Sequence, residues 1–170
     1  PASTEETGRG AQQTTRSRGT RARRSSLAVP ASNPKMIDKA RTLPVDQVFL
    51  DLEDACAPLA KPQGRQNVIA AFTEGGFEGK IKVVRVNDWT TMWTYRDVVD
   101  VIEGAGAYLD CVMLPKVTGP EHIIALDLLL TQIETAMGYE VGRIGIEAQI
   151  ENAAGLLAVE AIAAASPRLE

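Results

Sequence analysis

Residues 47–58 read QVFLDLEDACAP, and the fold turns on them. Val48, Leu50 and Leu52 alternate with Phe49, Asp51 and Glu53, the period of two that a pleated strand imposes. The segment begins as a buried strand and ends in three carboxylates, Asp51, Glu53 and Asp54. Surface acids alone carry little meaning. Whether these belong to a site depends on how the other strands end.

Outward from this segment the chain alternates strand and helix. SSLAVP (25–30) reads as a strand, and SNPKMIDKARTL as a helix with Asn33 as N-cap and Pro34 at its first position. KPQGRQNVIAAF follows the second strand as a helix. KIKVVRVN (80–87) is a β-branched strand, and TYRDVVDVIEGAG is a helix with Tyr95, Val98, Val99 and Ile102 at helical spacing. LDCVMLPK (109–116) precedes a helix whose stripe is Leu126, Leu129, Leu130, Ile133 and Met137. GRIGIEAQIE (142–151) and NAAGLLAVEAIAAA complete a fifth strand–helix unit. Repeated βα units imply a parallel sheet. A doubly wound sheet and a (β/α)8 barrel both fit. The GAG at 104–106 follows a helix and reads as its C-cap, and no phosphate-binding glycine motif occurs.

The strand ends share a character. After Asp51, Glu53 and Asp54 come Arg85 and Asn87, then Lys116, then Gln149 and Glu151. Ligands bind at this carboxyl edge in barrels and open α/β sheets alike. Parity places Arg85 and Asn87 on the face of Ile81 and Val83. Gly145, Glu147, Gln149 and Glu151 share the face opposite Ile144, Ile146, Ala148 and Ile150. Glu147 lies about 13 Å deeper than Glu151 and suits a structural role. A self-satisfied ion network of Asp51, Arg85 and Glu147 is the competing reading. Trp89, Trp93 and Tyr95 either wall a pocket or pack under the loop after the third strand, and His122 reads as a surface residue.

Composition narrows the function classes. A single histidine, His122, excludes most Ser–His and Cys–His nucleophile designs and multi-histidine metal sites. Cys56 and Cys111 form no disulfide framework. Residues 1–24 hold six Arg and two Glu, a local charge of +4 against −4 for the whole chain. They read as a disordered basic tail, with 25–170 as one barrel domain. The acidic remainder speaks against nucleic acid, and the absence of a long apolar span against a membrane, so the expectation is a soluble, cytoplasmic protein.

Carboxylates and water are hard ligands, suited to Mg²⁺ with Mn²⁺ as the alternative. A divalent ion beside an arginine can grip a 2-oxo acid and stabilise charge developing on oxygen as a carbon–carbon bond breaks. Aldol or Claisen lyase chemistry fits this inventory, as do enolase and phosphoryl-transfer chemistry.

RRSSLAVPASNPKMIDKA, VFLDLEDA, VVRVND, VMLPKV and IEAQIENAAGLLAVEAIAAASPRLE resemble the citrate lyase β-subunit family (HpcH/HpaI aldolases). WTYRDVVDVIE and LDLLLTQIETAMG resemble its malyl-CoA/β-methylmalyl-CoA lyase branch. The resemblance implies a (β/α)8 barrel, of which this chain supplies about the first five βα units. It implies Mg²⁺, coenzyme A as part of the substrate, and cleavage or formation of a 3-hydroxyacyl-CoA such as malyl-CoA, with acetyl-CoA and glyoxylate as the other side of the reaction. By motif position, Arg85 would bind the oxo acid and polarise its carbonyl. Glu151 would be a metal ligand, Glu53 and Asp54 would orient the site, and Arg24 and Lys35 would meet CoA phosphates. The family's second metal ligand, an Asp ending a sixth strand, and an acid/base Asp from a neighbouring subunit of a homo-oligomer have no counterpart before Glu170. A malyl-CoA thioesterase, a citrate lyase β-subunit and a non-catalytic barrel piece are the alternatives.

Overall fold

The computed structural model describes residues 22–170, so residues 1–21 of the expected tail lie outside the described residues. Five strands, β1 (Ser26–Pro30), β2 (Gln47–Asp51), β3 (Ile81–Arg85), β4 (Cys111–Leu114) and β5 (Gly145–Ala148), form one parallel sheet in sequence order. Helices α1 (Pro34–Thr42), α2 (Lys61–Glu74), α3 (Thr94–Ala105) and α4 (Pro120–Met137) join successive strands. The unreversed order decides between the two architectures. A doubly wound sheet reverses its strand order at a switch point, whereas a barrel wall advances by one neighbour each time.

Side-chain contacts show that the sheet curls. Gln47 on β2 donates from Nε2 to Glu147 Oε2 on β5 at 3.1 Å. Arg23, just before β1, bonds Glu147 as well. Those two ends would lie about 19 Å apart across four flat inter-strand spacings, beyond the reach of Arg and Glu together. The sheet is therefore an arc of a (β/α)8 barrel.

Two apolar layers arise from the alternation. Val48, Leu50, Val84, Val112, Leu114 and Ile146 pack outward against the helices. Ile81, Val83, Cys111, Met113 and the partly buried Phe49 face inward. On α4 the buried stripe is Ile123, Leu126, Leu130 and Ile133, with Met137 more exposed than expected. Tyr95 is likewise exposed, and Val98, Val101 and Ile102 seat α3.

Local chemistry sets the helix starts. Asn33 Oδ1 accepts from Met36 N ahead of Pro34, and Asn152 Oδ1 accepts from Gly155 N at 2.8 Å. The expected fifth helix is two short ones, α5 (Ala153–Leu157) and α6 (Val159–Ala163), because Ala158 leaves helical geometry at φ −100°, ψ 8°. Gly106 of GAG is the C-cap of α3, as expected, in right-handed geometry (φ −56°, ψ −31°) with its N–H bonded to Ile102 O. Gly104 lies inside α3, where a Cβ would stand 2.7 Å from Ile69 Cδ1, so its smallness lets α3 approach α2. Beyond α6, Leu169 bridges Ile146 in parallel, extending the pairing past β5.

Candidate active site at the carboxyl ends of the strands

The first carboxylate of QVFLDLEDACAP ends β2 and shapes the turn after it. Asp51 Oδ1 accepts from Glu53 N at 2.8 Å, and Oδ2 accepts from Ala55 N at 3.0 Å, bending the chain. The same two oxygens receive Arg85, Nε to Oδ1 at 2.9 Å and Nη2 to Oδ2 at 2.7 Å. The pair exists because Asp51 and Arg85 are register partners and share the inward parity. Burial pushes the Asp51 carboxyl up, but Arg85 and the two amides outweigh it and hold it below its ordinary value. The Asp51 hydrogen bond, against burial, raises the Arg85 guanidinium, so the pair is ionic.

Arg85 keeps one loosely held corner. Its Nη1 lies 3.4 Å from Gln149 Oε1 and 3.5 Å from Glu53 Oε2. Glu53 is buried and turned inward, and its Oε2 has no hydrogen-bond partner. The 3.5 Å contact with Arg85 is an ion contact that leaves this lone-pair site open. Glu53 Oε1 is taken by Lys116 Nζ at 2.5 Å. The same ammonium stands 3.8 Å from Asp54 and 4.0 Å from Asp88. Glu53 raises the Lys116 amine, against slight desolvation, with Asp54 and Asp88 adding to the effect. Glu151 accepts from the backbone N–H of Lys116 at 2.7 Å and is otherwise exposed.

Behind the rim runs a second, buried polar layer. Lys61 is buried and donates to Leu52 O, Glu53 O and Asn87 Oδ1 at 2.7, 2.9 and 2.7 Å, with the Trp93 ring 4.8 Å from its nitrogen. Asn87 passes the network to Asp97, which Arg65 pairs at 3.1 Å. Burial pushes the Asp97 carboxyl up despite Asn87 and Arg65.

The structure therefore separates the expected residues. Arg85, Glu53, Asp54 and Glu151 stand at one edge, with Asp54 exposed. Lys35 sits exposed in the first turn of α1, on the same edge as the end of β1. Arg24 does not join them. It precedes β1 at the opposite edge, 81% exposed, and forks onto Asp46 just before β2. Asn87 leaves the inward face because β3 ends at Arg85 and the pleat with it. Glu147 is no partner of Arg85: it closes the deep end of the arc with Arg23 and Gln47. Trp89 packs on the core and donates to His122 O at 3.0 Å, so it belongs to the loop packing. His122 is half-buried.

Motif position gives no site role to Lys116, Lys61, Asp88 or Asp97, all of which the structure brings to the rim or just behind it. The polar end of LDCVMLPK is a signal for Lys116, but Lys61 in the first turn of α2 carries no local mark of burial.

Every side-chain acceptor at the rim is a carboxylate or amide oxygen, the donor set that Mg²⁺ prefers to zinc. Among the described residues no three His, Cys, Asp or Glu side chains form a metal-holding group. Glu151 and the open Glu53 Oε2 fit part of a hard-cation shell.

Residues 24–170 match the HpcH/HpaI aldolase/citrate lyase family model. Over 150 residues the chain is 43% identical to the L-malyl-CoA/β-methylmalyl-CoA lyase of Rhodobacter capsulatus, covering 88% of this chain and 47% of that one. It is 34% identical over 152 residues to citrate lyase subunit beta of Escherichia coli strain K12, covering 89% and 49%. The solved structure of CitE from Mycobacterium tuberculosis with magnesium and acetate superposes with a TM-score of 0.64 at 28% identity, covering 85% of this chain and 50% of that one. The chain spans about half the length of the curated relatives it matches.

Proposed function

The chain belongs to the HpcH/HpaI aldolase/citrate lyase family, and from that membership we propose that its strand-end rim is part of the active site of a Mg²⁺-dependent lyase. The reaction is cleavage or formation of the carbon–carbon bond of a 3-hydroxyacyl-CoA. Malyl-CoA, with acetyl-CoA and glyoxylate as products, is the substrate supported by the 43% identical relative. The working enzyme is a homo-oligomer in this reading.

The observation that carries it is the Arg85 guanidinium, locked by Asp51 on the inward face with Nη1 held only by contacts of 3.4 and 3.5 Å. A planar cation oriented in advance and left with one open corner suits the carboxylate of a 2-oxo acid. It also stabilises charge that develops on the adjacent oxygen without reorganising first. Glu151 would hold the metal ion, with Glu53 and Asp54 beside it. When bound, Mg²⁺ supplies Lewis acidity toward the oxo-acid oxygens. Lys35 stands at the edge where a CoA phosphate would enter. Arg24, at the far edge, is left out of this set.

The test is a product assay on the complete protein with malyl-CoA and Mg²⁺. Glyoxylate and acetyl-CoA should appear together, and Arg85→Ala or Glu151→Gln should lower kcat/KM by about 10²- to 10³-fold. Free CoA without glyoxylate would mean thioester hydrolysis instead. Turnover of a citryl thioester alone would favour the citrate lyase type, to which the 34% identical relative belongs.

A further inference from the structure

Lys116 is the one non-glycine residue with positive φ among the described residues, at +53°. Left-handed backbone is disfavoured for a residue with a Cβ and persists where surroundings hold it. Here two bonds of opposite kind converge on it. Its backbone N–H donates to Glu151 Oε1 at 2.7 Å, and its ammonium reaches back to Glu53 Oε1 at 2.5 Å. Glu53 is itself buried, and its backbone carbonyl is held by the buried Lys61. The anchor on β2's turn thus keeps Lys116 in the left-handed well, and that conformation aims an amide at the end of β5.

We propose that Lys116 is a positioning residue that presents Glu151 to a divalent cation through its backbone amide, with the ammonium serving as the lock on that backbone conformation. A second observation points the same way: Glu53 Oε2 is buried, lacks a hydrogen bond, and belongs to the carboxylate that anchors the lock. The inference rests on the reading of Glu151 as a metal ligand.

The two roles of Lys116 can be separated by substitution. Lys116→Met removes the ammonium and disfavours positive φ. Lys116→Gly removes the ammonium and accepts positive φ at little steric cost. Lys116→Arg keeps a cation within reach of Glu53. The probe is Mn²⁺ alone, its dissociation constant measured on the complete protein by electron paramagnetic resonance without substrate, and Tm is recorded for each variant.

Lys116→Met should weaken Mn²⁺ binding about 10-fold or more, the usual cost of losing a partner that orients a ligand. Lys116→Gly should stay within about threefold of the parent and Lys116→Arg should recover most of the affinity. Parent-like binding by Lys116→Met overturns the proposal, and so does an equal loss in Lys116→Gly and Lys116→Met, since then the ammonium matters and the backbone does not. Should Lys116→Met fail to fold, a 10-fold loss in Lys116→Gly overturns it by itself. Glu151→Gln is the control. If it binds Mn²⁺ like the parent, the reading of Glu151 fails and takes this inference with it. If Glu151→Gln loses the ion while Lys116→Met keeps it, only the role of Lys116 is refuted.

Discussion

Arg85 and Asp51 face each other in register across β3 and β2 and are joined by two parallel hydrogen bonds of 2.9 and 2.7 Å. Asp51 simultaneously caps the turn that carries Glu53 and Ala55. One buried carboxylate therefore sets both the plane of the guanidinium and the path of the acidic loop.

Asp51→Asn should lower kcat/KM of the complete enzyme by about 10- to 100-fold, because the fork becomes a single uncharged contact and the guanidinium loses its fixed plane. Far-ultraviolet circular dichroism should be unchanged. Arg85→Lys should fare no better than Arg85→Ala on kcat, since an ammonium cannot make the bidentate contact.

Arg168 and Glu134 form another buried pair at 2.7 Å, where the chain enters β5. Glu134 also accepts from Gly142 N and Ile144 N, tying the loop before β5 to α4. Removing Arg168 strands the buried Glu134 carboxylate, and removing Glu134 leaves the buried Arg168 with Asp127 as its remaining carboxylate partner. Glu134→Ala and Arg168→Met should each lower unfolding stability by about 3–5 kcal/mol in urea titrations, and the double variant should lose less than the sum.

Asp127 and Asp97 should give pH dependences of opposite sign. Burial pushes Asp127 up, but Ser166 and Arg168 outweigh it and hold its carboxyl below the ordinary value of 3.8. The folded state then binds fewer protons than the unfolded one, so its contribution is full above about 3.8 and is lost as pH falls through the folded pKa. The stability advantage of the parent over Asp127→Asn should shrink from about pH 6 to about pH 3. Asp97 is raised from 3.8, chiefly by burial. Its parent-minus-Asp97→Asn difference should instead decline as pH rises from about 3.8 through the raised value.

Gly104→Ala should destabilise the protein by about 1–3 kcal/mol, since the new methyl would meet three atoms of the Ile69 side chain. Their distances from the added Cβ are 2.7, 2.9 and 2.9 Å. Ile69→Ala should recover part of the loss in the same background, as read by thermal unfolding. A glycine needed for a turn would show no such rescue.

Sequence alone determined the βα rhythm, the N-cap at Asn33, and the parity that puts Phe49 with Asp51 and Arg85 with Val83 on one face of their strands. These are local properties: a strand's period and a helix's first turn depend on residues within a few positions of one another. Periodicity tells which way a side chain points, yet not which strand stands beside it or how tightly the sheet curls. That is why motif position puts Arg24 near a site it does not join, and why GAG reads as a cap, which Gly106 is, without showing that α3 needs Gly104 for its packing on α2. Tertiary structure alone decided that Glu147 would meet Arg23 across the arc, that Glu53 would find Lys116 just past the end of β4, and that Lys61 would be buried under the turn. Glu147 with Arg23 and Glu53 with Lys116 join residues distant in sequence. Those pairings depend on the unreversed strand order and on the closure of the curved sheet, which only the packing of the whole arc establishes.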